Sequence, residues 1–320
     1  MQKIDSYTRL IENTLARQDF DSEPAELYAP ISYILSLGGK RLRPAMVLAA
    51  CDLYGGELSE AVMPALGIEI FHNFSLIHDD ILDKAPLRRG KKTVHEKWNH
   101  DIALLSGDAM LVKAYQYIAA VDPKILPHVM KAFSATAMEV CEGQQYDLNF
   151  EKQEMVSQQD YIEMIRLKTS VLLGCALKVG ALVAGAPLKE ADKLYKFGVN
   201  IGIAFQIQDD ILDAFGNPEK FGKTPGGDIL NDKKTILMIH AMENASEAQL
   251  KELKGKFAND DEKVKTIRGL LKEIGSKDYA MAKMEAFYQE ALKHLDESAG
   301  KAEIKNELAN FAQWLIKRDI

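Results

Sequence analysis

The sequence predicts an all-α fold, and three observations carry that expectation. Apolar residues recur every three or four positions over most of the chain. Sustained period-two alternation and the Asn-Gly or Asp-Gly turns of hairpins are missing. Glycine and proline clusters punctuate the helical stretches at short intervals and leave no long linker.

The elements follow in order. Ile31, Ile34, Leu35 and Leu37 form one short apolar face, and 45–53 reads as a buried helix. Leu66, Ile70, Phe74, Ile77 and Ile81 recur at helical spacing. Helical patterns continue over 102–121, 128–148, 161–184, 188–215, 234–242, 263–274, 279–295 and 302–316. Breaks are expected at Gly38-Gly39, Gly55-Gly56, Pro86, Asp122-Pro123, residues 185–187, Asn217-Pro218 and residues 225–227. The stretches 69–82 and 200–213 are unusually apolar for helices that carry acidic clusters, so they are expected to be central. The polar stretch 246–261 is expected at the surface. The expectation is a single all-α domain over 1–320, built as a helical bundle.

Composition narrows the class. The 320 residues are 47% hydrophobic and 27% charged, with a net charge of −7. That balance is ordinary for a globular protein and disfavours nucleic-acid binding as a main role. No apolar run reaches the length of a membrane span. The N-terminus has early acidic residues and no apolar core, so it does not read as a secretory signal. Cys51, Cys141 and Cys175 are scattered without metal-type spacing and read as buried thiols in a reducing cytoplasm.

The chemistry-bearing feature is a repeat. Asp-Asp-Ile-Leu-Asp occurs twice, placing Asp79, Asp80 and Asp83 in one copy and Asp209, Asp210 and Asp213 in the other. Leu76-Ile77-His78 precedes the first copy and Gln206-Ile207-Gln208 the second. Positions i and i+4 share a helix face, so each copy pairs its outer carboxylates one turn apart. Like charges so placed are costly without a cation. Magnesium fits, because it binds through one or two carboxylates, waters and substrate phosphates. A pair of solvated helix ends is the plain alternative, and the five-residue identity weighs against it.

Basic groups flank these motifs. Gly38-Gly39-Lys40-Arg41-Leu42-Arg43-Pro44 puts three cations and two glycines at a helix start. Arg88-Arg89-Gly90 follows the first acidic copy, Lys168-Thr169 lies in an apolar helix, and Lys223 sits in a Gly-Lys loop ahead of Lys233-Lys234. Glycines let backbone approach an oxyanion, and Arg offers forked donors to phosphate. Together they point to a highly charged anion bridged by metal on one side and clamped by cations on the other.

These motifs, with Gly143-Gln144 to Asp147 and with Phe205-Gln206 leading the second copy, stand in the order found in trans-prenyl diphosphate synthases. The chain resembles that family over nearly its whole length. The resemblance implies an isoprenoid-synthase bundle around a central cavity, acting as a homodimer, with isopentenyl and allylic diphosphates as substrates. It implies that Asp79, Asp83 and Asp209 ligate three magnesium ions, with Asp80, Asp210 and Asp213 ligating through water or supporting the ligands. Arg88, Lys168, Lys223 and Lys233 would grip the allylic diphosphate, and Lys40, Arg43, His72 and Arg89 would hold isopentenyl diphosphate. Thr169 and Gln206 would lie near the developing cation.

Product length is expected to depend on the helix ending at Asp79. Phe74 lies five residues earlier, about 7–8 Å along the axis, with Phe71 a turn further and the small Ser75 four residues before the aspartate. An aromatic at the fifth position beside a small residue resembles short-chain geranylgeranyl synthases. Farnesyl diphosphate as the main product, a class I terpene cyclase and a non-catalytic regulatory subunit are the competing expectations. The all-aspartate second motif and the intact Arg-Arg-Gly weigh against the last two.

Overall fold

The computed structural model of the chain describes residues 1–20, 22–216 and 226–317. These residues are helical almost throughout, as the periodicity predicts. They fall into two compact units: Met1–Ser134, Cys175–Leu194 and Ala299–Glu307 form the first, and Ala135–Gly174, Tyr195–Ser298 and Leu308–Ile320 the second.

The first unit is built on α1 (Gln2–Leu15), α2 (Ala25–Ser36), α3 (Leu42–Leu53), α4 (Leu58–Leu82), the single turn α5 (Val94–Lys97) and α6 (His100–Ile118). Ile4, Tyr7, Ile11 and Leu15 make the buried stripe of α1, a helix the sequence reading passed over. Helix α4 buries residues around most of its circumference, including Leu66, Ile68, Ile70, Phe71 and Ile77. It therefore packs with α3, α6, α1 and α2 at once. Gly107 lets α6 approach it: a Cβ there would overlap the His78 imidazole. Asp52, at the end of α3, accepts from Tyr7 Oη at 2.6 Å and from Lys301 Nζ at 2.7 Å, which pins α1 and the 300s segment to the same point.

A two-residue hairpin breaks the helical pattern. β1 (Leu87–Arg88) pairs antiparallel with β2 (Lys91–Lys92). Arg89 and Gly90 both have positive φ, 53° and 73°, which is the demand of a type I′ turn. Arg-Gly is a weaker signal for that turn than Asn-Gly, so the hairpin was not legible in the sequence.

The second unit gathers α8 (Gln158–Ile165), α11 (Gly227–Leu230), α12 (Ile236–Asn244), α13 (Glu247–Leu253), α14 (Asp260–Glu273) and α15 (Ser276–Asp296). Helices α7 (Leu126–Glu151), α9 (Val171–Val183), α10 (Leu188–Phe215) and α16 (Ala302–Ile316) contribute residues to both units. Ile203, Ile207, Ile211, Ile236, Leu237 and Ile267 lie in its core. Caps set the starts: Ser157 accepts from Asp160 N, and Asn259 from Glu262 N in a first turn holding Asp260 and Asp261. The stretch 246–261 is mostly exposed, as expected, but contains α13, opened by the Ser246–Gln249 capping box. The expected helix over 161–184 is interrupted by a π-turn at Arg166–Ser170. Cys51 and Cys175 are buried, whereas Cys141 is exposed, which corrects the reading of three buried thiols. Among the described residues no helix is long and apolar enough to cross a membrane.

Candidate active site

In the first unit, α4 ends at the first acidic copy. Asp83 caps it, its N–H donating to the Asp79 carbonyl at 2.8 Å, so the two carboxylates leave the helix one turn apart. The middle residue behaves differently. Asp80 is 1% exposed and accepts from Arg88 Nε at 2.8 Å and Nη2 at 2.7 Å. This forked pair is the strong geometry for guanidinium and carboxylate.

The Gly-Gly-Lys-Arg segment forms a left-handed turn ahead of α3. Gly38, Gly39 and Arg41 have φ of 78°, 145° and 46°. The first two suit glycine, while Arg41 is in a region that disfavours a side chain by about 1–2 kcal/mol. Its guanidinium is buried, donating to Glu69 and to the Leu35 carbonyl at 2.6 Å. Asn73 Nδ2 donates to the same Glu69 carboxylate at 2.9 Å. The Arg41–Glu69–Asn73 group thus fixes the turn from below, and Lys40 and Arg43 flank it. Arg89 donates from Nη1 to the Gly38 carbonyl, and a Cβ at Gly39 would come within 3.1 Å of Arg89 Nη2. A side chain at Gly39, whose φ is 145°, would crowd that guanidinium.

Arg43 Nη1 approaches His72 Nε2 at 3.4 Å. Burial holds the imidazole well below its ordinary pKa, and Arg43, Arg89, Arg88 and Arg41 push the same way. The ring is therefore neutral at pH 7 and accepts from Arg43. Arg43 Nε is buried without a protein partner. Arg41, Arg43, Arg88 and Arg89 thus surround a neutral ring, with Arg41 paired to Glu69 and Arg88 to Asp80.

Below this cluster, α4 carries an aromatic wall. Phe71 packs on Phe74 at 5.4 Å and on Phe133 of α7 at 5.2 Å between ring centroids. Tyr115 of α6 packs on Phe133 at 4.9 Å, and Phe74 meets His78 at 4.8 Å. Ser75 turns its hydroxyl to the His72 carbonyl at 2.9 Å.

In the second unit, α10 carries the other acidic copy. Asp210 is buried and accepts from the Tyr161 hydroxyl, with Gln206 Nε2 at 3.5 Å. Burial pushes its carboxyl up to about 7; Tyr161 and Gln206 pull against this, and the Asp228 charge adds to it. Burial also raises Asp213, which accepts from Asp228 N at 2.9 Å. Asp228 in turn lies 3.3 Å from Lys233 Nζ. Asp210, Asp213, Asp228, Lys233 and Thr235 line one narrow cleft.

The π-turn places Lys168 and Thr169. Lys168 Nζ donates to Asp147 of α7 at 2.5 Å. Single π-turns inside helices recur at functional sites because they redirect side chains. Gly143 allows the approach, since a Cβ there would overlap the Lys168 backbone. Beside it, both amide atoms of Gln144 are buried without a partner. An unmet buried amide costs about 1–3 kcal/mol.

Residues 24–274 match the family model described as polyprenyl synthetase. The geranylgeranyl diphosphate synthase of Methanosarcina mazei is 37% identical over 93% of this chain and 91% of its own. A crystal structure of a geranylgeranyl pyrophosphate synthase is 43% identical, with a TM-score of 0.94 over 99% of both chains. The structure of the geranylgeranyl pyrophosphate synthetase from Pyrococcus horikoshii Ot3 is 35% identical, with a TM-score of 0.93 over 99% of both. The chain belongs to the polyprenyl synthetase family. It is a prenyltransferase.

Within this enzyme the expected residues sort into groups. Arg43, His72 and Arg89 come together around the Gly38-Gly39 turn, with Lys40 exposed beside them. Asp80 and Arg88 hold each other. Asp210, Asp213 and Lys233 share the narrow cleft. Lys223 lies outside the described residues. Among the described residues no three carboxylate, imidazole or thiol groups converge tightly enough to enclose an ion by themselves. The reading by motif missed Arg41, Glu69, Asn73, Asp228 and Tyr161 as supporting residues. Glu69 and Asn73 were signalled as polar residues in the apolar stretch 66–77, and Tyr161 had no signal.

Proposed function

We propose that the chain condenses isopentenyl diphosphate with allylic diphosphates, head to tail, to give geranylgeranyl diphosphate. The observation that carries the reading is that α4 bears both kinds of group the reaction needs. His72, in the guanidinium cluster, and Asp79 are seven residues apart, about 10 Å along one helix axis. On this reading, a diphosphate site and a metal-binding pair would be held at a fixed spacing.

The donor chemistry fits magnesium: paired aspartates that cannot enclose an ion alone suit one that completes its shell with water and phosphate. By the family resemblance, Asp79, Asp83 and Asp209 would hold it, with three ions per active site as the expected number. Bound there, it would supply charge stabilisation to departing pyrophosphate. Lys168, Lys233 and Arg88 act in the same sense, because they meet the leaving charge more strongly than the intact ester. The Arg43–His72–Arg89 cluster, with Lys40, holds the second diphosphate so that its double bond is in place before ionisation. Thr169 and Gln206 offer dipoles to the developing cation, and apolar walls exclude water that would quench it. The released pyrophosphate then takes the proton. Phe71, Phe74 and Ser75 act as the floor that limits chain growth.

We read the 320 residues as one catalytic domain, supported by a family match that runs through both units, and as a cytoplasmic homodimer. The test is to incubate the enzyme with magnesium, isopentenyl diphosphate and labelled farnesyl diphosphate, then separate products by chain length. A C20 diphosphate supports the reading. A cyclic hydrocarbon would indicate a cyclase, and absence of turnover either an enzyme that stops at farnesyl diphosphate or a regulatory subunit.

A further inference from the structure

The second unit holds a cavity of about 240 Å³ that the proposed reaction does not use. Its apolar lining is Val156, Ile239, Leu253 and Ile267 with the thioethers of Met238, Met242 and the exposed Met155. An apolar cavity of about 150 Å³ stays dry and accepts a benzene-sized molecule, so this one has room for a longer hydrocarbon. Three methionines make the lining adaptable, since an unbranched thioether fits tails of differing shape.

The mouth has a different character. Lys234, Lys254 and Lys263 stand there against Glu154 and Asp232, a net of one positive charge. Lys263 is committed, donating to Asp232 at 2.8 Å and to the Leu230 carbonyl at 3.2 Å. Lys234 Nζ reaches the Asp232 carbonyl at 3.3 Å. Lys254 meets Glu154 at 3.3 Å, and both side chains are more than half exposed. Exposed pairs of this kind are worth about 0–1 kcal/mol, so an incoming anion can replace Glu154 at small cost.

We propose that this cavity is a second ligand site, taking an amphiphilic anion: a medium-length hydrocarbon tail against the apolar lining and a carboxylate or phosphate head at Lys254 and Lys234. Ile229 and Met238 wall both this cavity and the cleft of Asp210, Asp213 and Asp228, so the occupant lies one side chain away from the second acidic motif.

The test uses full-length enzyme labelled with ¹³C-methyl methionine, kept free of divalent metal so that the outcome does not depend on the catalytic reading. Octanoate, octyl phosphate, octanol and inorganic phosphate are titrated separately. The expected result is a saturable shift of the Met155 and Met242 methyl signals with octanoate, octyl phosphate or both, the responding head group naming the source. Octanol and phosphate should bind at least tenfold more weakly. The exposed substitution Lys254→Glu should weaken the anions about tenfold and leave octanol unchanged, and Met242→Trp should abolish every shift. No shift with either anion, or an equal affinity for octanol, overturns the proposal.

Discussion

The two copies of Asp-Asp-Ile-Leu-Asp are identical in sequence and different in electrostatics. In the first, the middle aspartate is neutralised by a forked guanidinium from Arg88. In the second, the middle aspartate faces a phenol, Tyr161, and the field of a third carboxylate, Asp228. The copies agree only in their outer residues, which share a face by helical geometry. A repeated motif therefore fixes which positions can meet metal, while the residues that arrive from other elements fix the charge each copy carries. In the first, Arg88 pairs with Asp80 and the Arg89 charge reaches the same carboxylate. The second is set among acids, relieved by Lys233.

The comparison is broken most severely by removing an outer residue. Asp79→Ala and Asp209→Ala should each lower turnover by at least about 10²–10³-fold, the scale on which one preorganised electrostatic group acts. Steady-state kinetics at saturating magnesium checks this, and circular dichroism should report an unchanged fold. Near-normal rates in either variant would contradict a metal role for that copy.

Substituting the middle residue should separate the copies by sign. Asp80→Asn keeps one acceptor and turns an amide N–H₂ toward Arg88, leaving a largely buried guanidinium unpaired. A loss of about 3 kcal/mol is expected, the scale of breaking a buried ion pair from one side. Asp210→Asn removes a carboxylate that burial already disfavours, while its amide oxygen still accepts from Tyr161. The metal-free protein should then be as stable as the parent at pH 7, or more so. Urea denaturation of both variants in EDTA measures the pair, and equal losses would mean that the two surroundings are equivalent after all.

The aromatic residues ahead of each motif sharpen the contrast further. The first copy has Phe74 and Ser75 at the fifth and fourth positions before its leading aspartate, whereas the second has Ala204 and Phe205. Phe74 belongs to a wall with Phe71 and Phe133. Phe74→Ala should lengthen the product by one or more isoprene units, and Phe205→Ala should leave chain length unchanged. Discrimination by such a wall is worth about 1–3 kcal/mol, so a mixture rather than a clean switch is expected on chromatography.

Much of this was legible in the sequence because helical periodicity is local. The helix over 188–215 begins and ends where its pattern does, and α4 and α10 are as buried as their apolar content demands. What was not legible depends on partners distant in sequence. Lys40, Arg41 and Arg43 read as three equivalent cations at a helix start. The left-handed turn at Arg41 sends that one inward to Glu69, and no spacing rule selects it. The π-turn at Arg166–Ser170 is equally silent, since an i→i+5 bond leaves no periodic trace over five residues. It is supported by Gly143, 25 residues from Lys168, whose absent Cβ makes room for the turn. The hairpin at Arg89-Gly90 depends on two residues with positive φ, only one of them glycine.

The effect most specific to the second copy is its dependence on pH. An aspartate ordinarily titrates near 3.8, and Asp210 is pushed up to about 7. Between those values the folded chain holds a proton that the unfolded chain has released. The stability this group contributes is complete below about 3.8 and is lost as pH rises through 7. In metal-free protein the slope from this one site is at most about 1.4 kcal/mol per pH unit. Asp210→Asn should flatten that part of the curve, so the variant's advantage over the parent shrinks as pH is lowered from 7 toward 4. Thermal denaturation at half-unit pH intervals in EDTA makes the measurement. Parallel curves for parent and Asp210→Asn would show that Asp210 is ionised when buried, and the two copies would then differ in partners but not in protonation.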